Sequence, residues 1–197
     1  MSGKEESLSA VILAGGLSTR MGTCKAELPW EGKTLLQHQV ERMRSLGIED
    51  IILAGYAKPV EGTRCVPDRY PRKGPLGGIH AGLLAARNGS CLVTGIDTPL
   101  VPAEIYSELV RTHRQSEHRI TVLGRGGELE PLMGVYDRYL AGIAEEILQG
   151  DSTSVRRLLD RSGYEVFPYM GDEVLLRDCN TPEDLRRALE DRDLRRL

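Results

Sequence analysis

The sequence predicts an α/β protein built on a single doubly wound, mostly parallel sheet of the Rossmann-like kind, and three observations carry that expectation. Apolar runs of strand length recur at residues 10–14, 51–54, 91–95 and 120–123, helical patterns separate the earlier ones, and a glycine-rich stretch directly follows the first. The helical pattern over 35–46 ends at Gly47, the usual place for a glycine just past a helix. A second helix is expected over about 76–87 despite Gly77, Gly78 and Gly82. Each interior glycine costs about 1 kcal/mol against alanine, so three together point either to close packing on the sheet or to a close ligand. Pro99 and Pro102 bracket a turn, a helix follows over 103–113, and 131–136 reads as a strand after Gly124, Gly126 and Gly127. Residues 139–148 and 154–159 read as helices, and Thr181-Pro182-Glu183-Asp184 is a helix start with Thr181 as N-cap. The last helix is expected to be amphipathic and solvated, its Arg and acidic residues alternating around Leu185, Leu189 and Leu194. No repeat or linker divides the 197 residues, so 1–197 is expected to be one domain.

Composition removes several function classes. With 40% hydrophobic and 28% charged residues, and no window of 18 apolar residues, the chain has no expected membrane span. The first ten residues lack the basic start and cleavage site of a signal peptide, so the protein is expected in the cytoplasm. A net charge of −3 argues against a nucleic-acid groove. Cys24, Cys65, Cys91 and Cys179 lack the paired spacing of zinc or redox sites and are expected as reduced thiols.

Two segments carry chemistry. In the run from Leu13 and Ala14 to Gly22, Gly15 and Gly16 let the backbone approach a ligand and point successive N–H groups at anionic oxygens, while Arg20 and Lys25 add positive charge. A triphosphate fits that chemistry; the alternative is a glycine turn with surface cations. The spacing is neither that of the ATPase phosphate loop nor that of the dinucleotide fingerprint. Asp97, after the run 91–95 and before Thr98-Pro99, is placed to ligate Mg²⁺, with a local turn cap as the alternative. His38, His113 and His118 read as surface or capping residues, and His80 as either an acceptor contact or a helix surface or core residue.

LAGGLSTRMG with Lys25, then Pro67-Asp68, GPLGGIHAGL, GIDTP, EPLMGVY and NTPEDL occur in an order that resembles the molybdenum cofactor guanylyltransferases, nucleotidyltransferases of glycosyltransferase-A-like fold. The likeness spans about residues 9–189, the expected core of the domain. It implies nucleotide contacts at Leu13, Ala14, Gly15 and Asp68, phosphate binding at Lys25, Mg²⁺ and nucleotide binding at Asp97, and a place near the active site for Asn180. Cys24 stands where the family usually has Asp, and 52–55 (Ile-Leu-Ala-Gly) lacks the Asn often found after the second strand. The implied reaction moves GMP from GTP to molybdopterin and releases pyrophosphate, with Arg20, Lys25 and Asp97 supplying the catalytic charge. Molybdoenzyme apoproteins or delivery chaperones are further expected partners. The competing readings are a cytidylyltransferase or sugar-phosphate nucleotidyltransferase of the same fold, and a non-catalytic nucleotide-binding protein that delivers cofactor.

Overall fold

The computed structural model describes residues 7–15, 24–150 and 152–195. Its strands are β1 (Leu8–Leu13), β2 (Pro29–Trp30), β3 (Lys33–Thr34), β4 (Asp50–Ala54), β5 (Arg64–Val66), β6 (Ser90–Gly95), β7 (Ile120–Arg125), β8 (Glu128–Asp137) and β9 (Glu165–Pro168). Its α-helices are α1 (Leu35–Ser45), α2 (Pro75–Ala85), α3 (Ala103–Gln115), α4 (Ala141–Gln149), α5 (Val155–Ser162) and α6 (Pro182–Arg195). Seven strands form one sheet in the order β5-β4-β1-β6-β8-β7-β9, and β2 and β3 form a separate small hairpin. Within the seven-stranded sheet of the described residues, β8 runs against its neighbours β6 and β7, while the other pairs of that sheet are parallel.

The sheet is buried on both faces, as its unbroken apolar strands require. Along β1, Ala10 and Ile12 join the core under α1 and α3, while Val11 between them joins the core under α2, α4 and α5. That two-sided burial is the doubly wound arrangement the sequence predicts. Thr34 caps α1 in a reciprocal box with Gln37, at 3.1 and 2.9 Å, and Gly47 ends the same segment at φ +75°.

The glycines of α2 have packing reasons. A Cβ on Gly78 would lie 2.9 Å from Leu13 Cδ2, and one on Gly82 would run into the Val11 side chain, so both let the helix sit directly on β1. A Cβ on Gly77 would instead lie 2.7 Å from both carboxylate oxygens of Asp68.

Several elements differ from the sequence expectation. The strand expected at 131–136 begins at Glu128, because Gly126 and Gly127, at φ +57° and +86°, make the two-residue turn of a β7–β8 hairpin. β5 and β9 were not foreseen; they are three- and four-residue edge strands, too short for a periodic signal. In α6, Leu185 is buried but Leu194 is 72% exposed. Nine residues at about 100° each place it on the opposite side of the helix. No helix among the described residues is long and apolar enough to cross a membrane.

Candidate active site

The carboxyl ends of β1, β4, β5 and β6 meet at one edge of the sheet. The chain passes from β1 outward to β4 and β5, then returns to place β6 on the other side of β1. Such a reversal opens a crevice beyond the strand ends, where open α/β sheets bind ligands.

On the β4 side, Leu13, Ala14 and Gly15 leave β1 close to Gly55. The N–H groups of Ala14 and Gly15 both donate to Ala54 O, at 3.1 and 3.0 Å. The Gly15 amide is therefore committed to the protein, which corrects the expectation that it points at a ligand anion. What Gly15 provides is close approach, since a Cβ there would lie 2.8 Å from Gly55 Cα. The same contact, with φ +77° at Gly55, accounts for the glycine that ends the 52–55 run. Asp68 Oδ1 accepts from the Tyr70 N–H at 2.8 Å, and its carboxylate lies against Gly77 in the first turn of α2, where the helix dipole favours negative charge. Leu13 lies against the adjacent Gly78, so two of the expected nucleotide-contact residues, Leu13 and Asp68, meet at one helix end. Gly16 and Arg20 lie outside the described residues.

On the β6 side, three residues from distant parts of the chain converge. Lys25 begins a short 3-10 turn, Lys25–Glu27, and its side chain is 14% exposed. Its Nζ donates to Asn180 Oδ1 at 2.9 Å and to Asp97 Oδ2 at 3.3 Å. The Cys179 N–H donates to Asp97 O at 2.7 Å, tying the turn after β6 to the segment before α6. Thr181 caps α6 as expected, its Oγ1 accepting from the Asp184 N–H at 3.1 Å. Asp184 Oδ2 in return accepts from the amides of Asn180 and Thr181, at 3.0 and 2.8 Å, fixing the residue that reaches Lys25.

Two further carboxylates surround this cluster. Desolvation, then the negative charge of Asp97, pushes the Asp178 carboxyl above its usual range, against the pull of Lys25 and Arg125. Burial likewise raises Glu130, although Arg125 Nη2 pairs with Glu130 Oε1 at 3.0 Å. A cavity of about 460 Å³ opens beside them, lined in part by Arg125, Glu173, Arg177 and Asp178. Sequence reasoning did not single out Arg125, Glu130 or Asp178. The available signal was position: Glu130 opens the EPLMGVY segment and Asp178 stands two residues before Asn180.

The donor set fits a hard divalent cation. Asp97 and Asn180 offer a carboxylate and an amide oxygen already converging on one positive charge. Among the described residues no group of three or more His, Cys, Asp or Glu side chains forms a metal cage, so an ion here would complete its shell with phosphate oxygens and water.

The other candidates serve the fold. His80 is fully buried against Tyr70, with ring centroids 5.4 Å apart, which fits its reading as a core residue and not that as an acceptor contact. His113 Nδ1 bonds Thr121 Oγ1 at 3.1 Å. All four cysteines are free thiols, and exposed Cys24 makes no side-chain cap bond before Lys25.

Residues 10–166 match the family described as the MobA-like NTP transferase domain. A probable molybdenum cofactor guanylyltransferase of Carboxydothermus hydrogenoformans is 31% identical, covering 94% of this chain and 96% of that protein. The molybdenum cofactor guanylyltransferase of Rhizobium meliloti is 35% identical over 93% of this chain and 94% of its own. Among solved structures, the molybdopterin-guanine dinucleotide biosynthesis protein A of Archaeoglobus fulgidus has the same fold, with TM-score 0.79 and 24% identity over 94% of this chain and 98% of that one. A glycine-tight exit from β1 beside a converged Lys–Asp–Asn cluster, and relatives of matching length, lead to one assignment: the chain belongs to the MobA-like NTP transferase family of nucleotidyltransferases.

Proposed function

We propose that this protein transfers GMP from GTP to the terminal phosphate of molybdopterin. The convergence of Lys25 Nζ, Asp97 Oδ2 and Asn180 Oδ1 beside the segment that follows β1 carries the reading. Leu13, Ala14, Gly15 and Asp68 hold the nucleoside end of GTP and Lys25 its phosphates, the role expected from sequence also of Gly16 and Arg20. Asp97 and Asn180 hold Mg²⁺, which when bound supplies charge neutralisation on the triphosphate. A phosphate oxygen of molybdopterin attacks the α-phosphorus of GTP, the bond from that phosphorus to the bridging oxygen breaks, and pyrophosphate leaves. Lys25 orients the triphosphate and offsets charge building on the departing oxygens. The cavity lined by Arg125, Arg177 and Asp178 is the acceptor side of the site. In this reading residues 1–197 act as one cytoplasmic domain, and molybdoenzyme apoproteins or delivery chaperones take the product. The names of the relatives support the choice of GTP and molybdopterin.

The test incubates the purified protein with Mg²⁺, molybdopterin and each of the four nucleoside triphosphates, and identifies the dinucleotide formed. A guanine dinucleotide with stoichiometric pyrophosphate is expected. A cytosine dinucleotide would reassign the base. Nucleotide binding without turnover would leave only a cofactor-delivery role.

A further inference from the structure

Arg42 lies on the face of α1 turned toward the segment that carries Asp97, and it is mostly buried. Its Nη1 donates to Thr98 O at 3.3 Å and to Gln39 Oε1 at 2.8 Å, and its Nη2 donates to Pro99 O at 2.5 Å. Thr98 and Pro99 are the two residues directly after Asp97. His38 Nε2 lies 2.6 Å from Arg42 Nη2 and 3.2 Å from Pro99 O, so the ring and the guanidinium crowd the same carbonyl. His38 Nδ1 lies 3.8 Å from Glu31 Oε2. One turn of helix away from His38's partner, Gln39 Nε2 donates to Thr94 Oγ1 at 2.9 Å and to Tyr106 OH at 3.2 Å, gripping the end of β6 from the same helix.

Removing a guanidinium from water costs stability that apolar packing would not. Here each of its two terminal nitrogens donates to one of the carbonyls that set the path of the turn after Asp97. The other side of that turn is held by the Cys179 N–H on Asp97 O, so the segment is clamped between α1 and the residues leading to Asn180.

We infer that Arg42 is a positioning residue: by holding the carbonyls of Thr98 and Pro99 it keeps Asp97 Oδ2 facing the same cation position as Asn180 Oδ1. The inference rests on the proposal above that Asp97 and Asn180 hold the divalent ion. Arg42 itself touches neither nucleotide nor metal.

The experiment measures Mn²⁺ binding by electron paramagnetic resonance, with and without GTP, for wild type, Asp97→Asn, Arg42→Met and Arg42→Lys, alongside thermal unfolding. Loss of a group that orients a metal ligand weakens metal affinity by about 10–100-fold, and Arg42→Met is expected within that range. Arg42→Lys, which keeps one donor nitrogen in place of two, is expected to recover part of the loss. In turnover, the half-saturating Mg²⁺ concentration rises in both variants, while KM for GTP at saturating Mg²⁺ stays near wild type. A lower melting temperature with unchanged Mn²⁺ affinity in the folded protein would make Arg42 merely structural and overturn the inference. If Arg42→Met does not fold, Arg42→Lys decides by the same criterion. Wild-type Mn²⁺ affinity in Asp97→Asn would overturn the metal reading and the inference with it. Loss in Asp97→Asn with wild-type affinity in the Arg42 variants overturns the inference alone.

Discussion

Asp97, Lys25 and His80 make different demands on a substitution. Asp97→Asn keeps the size of the side chain and removes its charge. Its ion pair with Lys25 is part-exposed, and such pairs contribute about 0–1 kcal/mol, so the melting temperature should change little. Turnover should fall on the order of 10²–10³, as when one electrostatic contributor is lost. Wild-type turnover at low Mg²⁺ in the same preparation would remove Asp97 from the metal site. For Lys25→Ala, calorimetric titration should show GTP binding weakened by about 10–100-fold, the loss of one charge-assisted contact worth roughly 1.5–3 kcal/mol. Unchanged affinity with a large stability loss would make Lys25 structural. His80 predicts a pH dependence of folding. Burial, with no partner for either ring nitrogen, lowers its affinity for a proton despite the acidic Glu145 and Asp68 nearby, while Arg69 adds to the lowering. The unfolded chain then binds more protons than the native one, so stability is lost as pH falls through the ordinary histidine value of 6.5. His38 and His113 are also shifted down by burial and act in the same direction. In urea titrations from pH 8 to pH 5.5, His80→Leu should lose less stability than wild type. Parallel losses would mean that His80 takes up its proton in the native state.

At the scale of elements, α2 and α4 give opposite outcomes for one substitution. Gly142 in α4 has nothing within 4 Å of an added Cβ, so Gly142→Ala should stabilise by about 0.5–1 kcal/mol through helix propensity. Gly82→Ala gains the same propensity but drives a methyl into Val11, and over-packing of about 1–3 kcal/mol should win. Equal stabilisation in denaturant titrations would show that α2 can move off the sheet. These contacts were only partly legible beforehand. The unusual glycine content of α2 was visible, but whether packing or ligand required it depended on Val11 and Leu13 lying beneath the helix. The long apolar runs of β1, β4 and β6 were readable because burial on both faces leaves continuous hydrophobic sequence. β5 and β9 were not, since a short edge strand is defined by its neighbour's hydrogen bonds more than by its own side chains.

For the whole molecule, GTP binding should be coupled to stability. A ligand that binds only the native state at about 100 times its Kd adds roughly 2.7 kcal/mol, or about 5–10 °C for a chain of this size. In thermal shift measurements with Mg²⁺, GTP should exceed ATP and CTP; equal shifts for all three would remove the guanine preference. What the sequence by itself determined is whatever one segment can encode: strand and helix periodicity, the glycine-rich exit from β1, the N-cap at Thr181, and the family motifs. Where those segments meet was decided only in three dimensions. Lys25 reaches partners 72 and 155 residues away because β6 packs beside β1 and the start of α6 returns to Asp97. Arg42 carried no local signal of the site, and Glu130 and Asp178 only their places beside the EPLMGVY segment and Asn180. Hydrogen bonding and desolvation depend on distance through space, and strand order, which no single segment contains, sets that distance.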